Sequence, residues 1–252
     1  VMNMLTQVAI GLTVGGNILV GQYFGSGDRE NRRKAAGNLL TLSLLLGLLF
    51  AALVVLLGRP LLILLQSPTL DEATGYLTIC GAGLLFIFLY NGLSAILRGV
   101  GNSRIPLYCI IASVSLNVVL DILFVAVFRW GVAGAALATV LGQAVSCLTA
   151  LVFCLCHRTD LGLLPRWLRP EGSMVKRILK LGFPTALQWT IASISWLVVL
   201  ALVNQHGVTI SAANGVSNKI RDFCQLFISA LTTGGGTMCA QCLGARLFDR
   251  AE

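Results

Sequence analysis

Apolar residues in this chain neither alternate with polar ones nor return every third or fourth position. They run in long blocks separated by short polar stretches, at about residues 1–23, 37–57, 75–97, 106–128, 131–156, 175–203 and 209–242. A block of ~18 or more apolar residues is long enough to cross the ~30 Å hydrocarbon layer of a bilayer as a helix. Strands of a membrane barrel would instead show segments of ~10 residues with alternating hydrophobicity, and no such pattern is present. The pattern therefore predicts an all-α polytopic membrane protein with seven spans.

Composition agrees: 56% of the 252 residues are hydrophobic and only 11% are charged, against about a quarter in soluble domains. The net charge of +8 alone would suit nucleic acid. Its placement argues otherwise, because with seven spans the connections alternate between the two membrane faces. Fourteen of the eighteen basic residues fall on one face: Arg29, Arg32, Arg33, Lys34, Arg98, Arg104, Arg158, Arg166, Arg169, Lys176, Arg177, Lys180, Arg246 and Arg250. The other face has Arg59 and Arg129, while Lys219 and Arg221 lie inside the last span. That asymmetry marks the cytoplasmic side, so the charge sets orientation and no nucleic-acid partner is expected. The lipid bilayer is the expected surrounding.

The eight Cys residues all lie in apolar spans and read as buried structural thiols. "CAQC" at Cys239–Cys242 has no second pair or nearby His to complete a metal site. "RGVGNSRIP" lacks the Lys-Ser/Thr ending of a phosphate loop and reads as a turn carrying orientation charges. His157 and His206 stand alone at span edges. No constellation of catalytic residues or cofactor ligands appears, so an enzyme is not expected.

An internal repeat organises the chain. At an offset of 219, Leu12, Thr13, Gly15, Gly16, Gln22 and Gly25 meet Leu231, Thr232, Gly234, Gly235, Gln241 and Gly244. The offset covers six spans, an even number, so both copies have the same orientation, as in transporters built from parallel halves. The expected plan has twelve spans, of which this chain would be spans two to eight. Residues 1–156 would then form the amino-terminal bundle without its first span, 157–173 a cytoplasmic linker, and 174–252 the start of the second bundle.

Polar residues inside the spans are the candidate chemistry. "SVSLNVVLDILFVAV" holds Asn117 and Asp121 four residues apart, on one face of a helix. Asp121 lies nine residues before the turn at Trp130, and Thr139 nine residues after it. Both then sit about 14 Å below the turn, near mid-membrane. A carboxylate with neighbouring oxygens suits Na⁺ or a proton, and an intramembrane acid is a functional hypothesis by default. The same residues could also serve as hydrogen-bonding glue between helices. Lys219 and Asp222 in "SNKIRDFCQ" are spaced for a local ion pair facing a wet cavity or a substrate. Gln188 and Trp189, one turn beyond Pro184, and Tyr90 with Asn91 are further substrate-cavity candidates, with packing as the alternative.

Taken together, "QYFGSGDRENRRKAAGN", "LRGVGNSRIPLY", "LNVVLDILFV" and "GVAGAALATVLGQ" resemble the multidrug and toxic compound extrusion family along essentially the whole chain. The resemblance implies two six-helix bundles around a central cavity, which export cationic, amphipathic drugs or toxic metabolites in exchange for H⁺ or Na⁺ and need no cofactor. In the branch resembling DinF, the cation site matches Asn117, Asp121 and Thr139; its first-helix Asp has no counterpart in these residues. In the branch resembling NorM, a functional Glu would fall near Ala192, where no acid stands. The expected location is the plasma membrane of a bacterium. A lipid-linked oligosaccharide flippase of the same superfamily, or an inactive truncated fragment, are the alternatives. The sequence does not identify protein partners.

Overall fold

The computed structural model describes residues 2–64, 70–156, 169–205 and 207–250. Among these residues the chain is helical, with seven helices long and apolar enough to span a membrane. They are α1 (Met2–Gly25), α2 (Arg29–Leu64), α3 (Leu70–Gly99), α4 (Arg104–Asp121), α5 (Gly131–Cys156), α6 (Gly172–Gln205) and α7 (Val208–Gly244). Helices are the required answer in hydrocarbon, since each satisfies its own backbone groups without water. The linker residues 157–168, with Arg158, Arg166 and His157, and likewise His206, lie outside the described residues.

Two elements differ from the apolar blocks. The second block ends at about residue 57 by composition, yet α2 continues through Pro60 to Leu64 and begins at the basic run of Arg29. Its start is capped: Asp28 Oδ1 accepts from the Asn31 backbone N–H at 3.0 Å, and Oδ2 from the Asn31 side chain at 2.7 Å. That cap extends the helix into a polar stretch that hydropathy alone would leave as loop. The fourth block is one continuous span but changes its winding. Directly after Asp121 it becomes a π-helix over Ile122–Val127, closing where Arg129 and Gly131 adopt positive φ.

Packing is closest where residues are small. A β-carbon on Gly15 would lie 2.5 Å from the Gly182 nitrogen, and one on Gly11 would collide with the Ala186 backbone. Gly11 and Gly15 on α1 thus face Gly182 and Ala186 on α6, the small-xxx-small contact that brings membrane helices together without a hydrophobic driving force. The buried core joins α1 to α6 through Val20, Leu39, Ile96, Cys109, Cys147 and Ile178. By contrast, large apolar side chains such as Leu56 (72%) and Leu231 (77%) are exposed, as lipid-facing or cavity-facing positions must be.

Candidate cation and substrate site

The α4–α5 hairpin sets the first part of the site. A β-carbon on Gly142 would lie 3.2 Å from the Ser113 carbonyl and 3.3 Å from the Asn117 Cβ, and one on Gly134 would lie 3.0 Å from the Phe124 Cβ. Asn117 therefore faces α5 at Gly142, and Asp121 falls one turn further along α4, between the two glycine contacts. Ser113 Oγ donates to the Gly142 carbonyl at 2.7 Å, pinning this register. Ser113, Asn117 and Asp121 thus form a polar stripe at successive four-residue steps. The same spacing that singles out Asn117 and Asp121 points to Ser113 one turn earlier.

Two atoms of this stripe are orphaned. Asn117 Nδ2 and Asp121 Oδ1 are shielded from solvent and have no hydrogen-bond partner. A buried polar atom left unpaired costs ~1–3 kcal/mol, more when charged, so such atoms are uncommon. Thr139 is exposed, its hydroxyl donates to the Ala135 carbonyl at 2.9 Å, and it borders a cavity whose lining does not include Asn117 or Asp121.

That cavity has a volume of about 440 Å³ and lies between α1, α3, α4 and α5. Its polar points include Thr6, Tyr90, Asn91, Ser113, Thr139 and Gln143, on a largely apolar wall. The Tyr90 hydroxyl is already engaged, donating to the Pro106 carbonyl at 3.0 Å, and the Asn91 amide donates to the Ile87 carbonyl at 2.8 Å. Thr6 and Gln143 were not singled out from sequence because an isolated Thr or Gln is common in membrane helices. Only the meeting of four helices distinguishes them.

The α7 charges pair differently from their spacing. Asp222 does not meet Lys219; it accepts from Arg221 Nη2 at 3.2 Å, an exposed pair. The Arg221 guanidinium also lies 4.1 Å over the ring centroid of Trp196 on α6. Stacking on an aromatic face holds the guanidinium toward the neighbouring carboxylate, which a three-residue step to Lys219 does not match. Lys219, Gln188 and Trp189 are exposed. The thiols also divide: Cys80, Cys109, Cys147 and Cys154 are buried, but Cys156 and Cys224 are exposed, and Cys239 and Cys242 are partly so. Burial of all eight does not hold, because the outer faces of membrane helices are apolar without being covered by protein.

These features define a polytopic all-helical membrane protein with a largely apolar cavity between α1, α3, α4 and α5. The sequence model of the MatE family matches residues 1–123. The chain is 29% identical over 258 residues to the "Probable multidrug resistance protein YoeA" of Bacillus subtilis (strain 168), covering 99% of this chain and 56% of that protein. It is 35% identical over 197 residues to the "Probable multidrug resistance protein YpnP" of the same organism, covering 77% and 44%. The chain thus spans about half the length of these curated relatives. The outward-facing conformation of a multidrug resistance MATE family transporter superposes with a TM-score of 0.87 at 24% identity, covering 98% of this chain and 56% of that one. An inward-facing conformation superposes at 0.74 and 24% identity, covering 98% and 57%.

Proposed function

We propose that this chain is part of an efflux transporter that exchanges small organic compounds, mostly cationic and amphipathic, for H⁺ or Na⁺ across a bacterial plasma membrane. The reading is carried by the orphaned pair on α4: Asn117 Nδ2 and Asp121 Oδ1, shielded from water and unpaired one turn apart. Proton or Na⁺ uptake at Asp121 neutralises or ligates an otherwise uncompensated carboxylate. Loss of that cation restores that cost. Exchange follows if the two occupants compete and favour different conformations, since only differential affinity shifts such an equilibrium.

The cavity supports the substrate side of this reading. Its volume is within the ~300–1,000 Å³ of small-molecule sites, and an apolar wall with a few polar points suits amphipathic compounds. Among the described residues its lining contains no Lys or Arg, which disfavours the flippase alternative, since a pyrophosphate group needs basic contacts.

Ethidium efflux from energised cells producing the chain tests the reading. Asp121→Asn is expected to reduce efflux about tenfold or more while leaving membrane insertion and yield unchanged. Efflux equal to wild type in Asp121→Asn would refute the coupling role. No efflux by the unaltered chain would leave the inactive-fragment reading standing.

A further inference from the structure

A second cavity, of about 600 Å³, lies between the α3–α4 turn and α7, on the side of the molecule that carries the basic loops. Its lining runs from Arg98 and Ser103 at the turn to Ser229, Thr233, Thr237 and Gln241 on α7. The α7 positions recur at four-residue steps and so share one helix face. Twelve residues separate Ser229 from Gln241, which makes the lined face about 18 Å long. Gln241 Nε2 donates to the Gly99 carbonyl at 2.9 Å and so sits level with the turn. The Ser229 end therefore reaches toward the middle of the ~30 Å hydrocarbon layer.

The charge in this cavity is one-sided. Arg98 brings a full positive charge, and among the described residues no Asp or Glu lines the space. Arg98 also forms no ion pair among those residues. Its Nε is shielded from solvent and has no hydrogen-bond partner. A guanidinium partly withdrawn from water needs an acceptor or an anion to compensate it. Ser103 caps α4 without a side-chain bond, so its hydroxyl is not spent on the helix. The α7 wall differs. The Ser229 and Thr237 hydroxyls donate to the Leu226 and Thr233 carbonyls, both at 3.0 Å, and Ala230, Gly234 and Met238 lie between them. One end is thus cationic, and the long wall is mainly apolar with few free donors.

We propose that this cavity binds a phosphate-bearing anion, with the phosphate held by the Arg98 guanidinium beside the Ser103 hydroxyl. The planar guanidinium fork matches phosphate oxygens, and its charge is delocalised, so an anion held at any of its nitrogens compensates the whole group. Two sources carry such a group. Free phosphate needs only the Arg98 end, whereas an anionic phospholipid also lays its chain along the α7 wall. Basic pockets between helices on the cytoplasmic side suit the anionic headgroups of that leaflet, and the 18 Å face favours the lipid. Arg104, the first residue of α4, and Arg246, just beyond α7, add to the positive field on this side. The first cavity has no Lys or Arg among its described lining, so the two cavities suit different ligands. The inference does not rest on the transport reading.

The test needs no variant. The full chain is purified in dodecylmaltoside, and modification of Arg98 by phenylglyoxal is followed by peptide mass spectrometry. Dioleoylphosphatidylglycerol is expected to slow that modification about tenfold, while dioleoylphosphatidylcholine, neutral overall, has little effect. Arg129, exposed near the opposite membrane face, should react at one rate throughout. Inorganic phosphate is the third probe. Protection by phosphatidylglycerol alone assigns the site to a lipid headgroup, protection by inorganic phosphate alone assigns it to a soluble phosphate, and protection by both keeps the shared chemistry. No protection by either overturns the proposal, as does equal protection by phosphatidylcholine or equal protection of Arg129. Where the lipid protects, Thr233→Phe, at an exposed position, fills the α7 wall and leaves Arg98 in place. It is expected to weaken the lipid's protection several-fold, and unchanged protection would overturn this cavity as the lipid's site. Ethidium efflux plays no part in these readouts, so their failure leaves the transport reading untouched.

Discussion

Gly15 and Gly182 show how a single hydrogen in place of a side chain governs packing in this molecule. A β-carbon at either position meets backbone, which cannot rotate away as a flexible side chain could. Gly182→Leu is therefore expected to cost at least the ~1–3 kcal/mol of overpacking, seen as a lower melting temperature in detergent, while the same change at open Gly215 has little steric effect. Equal melting temperatures for the two variants would contradict the close α1–α6 approach. The α7 charges make a residue-scale prediction too. Arg221→Gln should alter Trp196 fluorescence by removing the guanidinium stacked 4.1 Å from its ring, and Lys219→Gln should not. A response to Lys219 alone would reverse the assignment.

Elements are set by their ends as much as by their apolar middles. α2 starts at Arg29 because Asp28 accepts hydrogen bonds from Asn31, and those bonds, backbone first, hold its carboxyl below the ordinary aspartate value of 3.8. A folded-state pKa below the unfolded value contributes stability above the ordinary range and loses it as pH falls through the folded value. Protection of the Arg29–Lys34 amides relative to their intrinsic exchange rates should therefore be present at neutral pH and fall below about pH 4. In Asp28→Ala it should be low throughout. Exchange that is insensitive to both changes would mean that the cap does not hold this end. In α4 the change to π-helical winding begins immediately after Asp121, the kind of local irregularity that often accompanies functional sites.

At the scale of the whole molecule, orientation and assembly are separate questions. The basic loops give the orientation. A membrane-impermeant maleimide added outside intact cells should label a Cys placed at Gly207, between α6 and α7, and not one at Ser26, between α1 and α2. Labelling of Ser26→Cys alone would invert the topology. Assembly depends on contacts far apart in sequence: α6 docks on α1 along two small-residue stripes, and its start is reached by α2 through Asn38, whose Oδ1 accepts from the Glu171 backbone N–H at 2.6 Å. Arg177 also donates to the Tyr23 hydroxyl at 2.9 Å. These ties gather the basic face into one connected layer.

The sequence by itself determined the spans, because crossing hydrocarbon needs a length of apolar residues that no other role requires. The polar stripe on α4 is legible too, because its four-residue step and expensive carboxylate are visible in one dimension. The turn near Trp130 and the register of the hairpin follow from counting along two short-connected helices. What only the tertiary structure decided are the relations between distant helices. The partner of Asp222 and the exposure of Cys156 and Cys224 belong to this set. The cavity wall of Thr6 and Gln143 does too. Each depends on which face of a helix meets a neighbour. In a membrane both lipid and protein faces are apolar, so hydrophobic pattern cannot tell them apart.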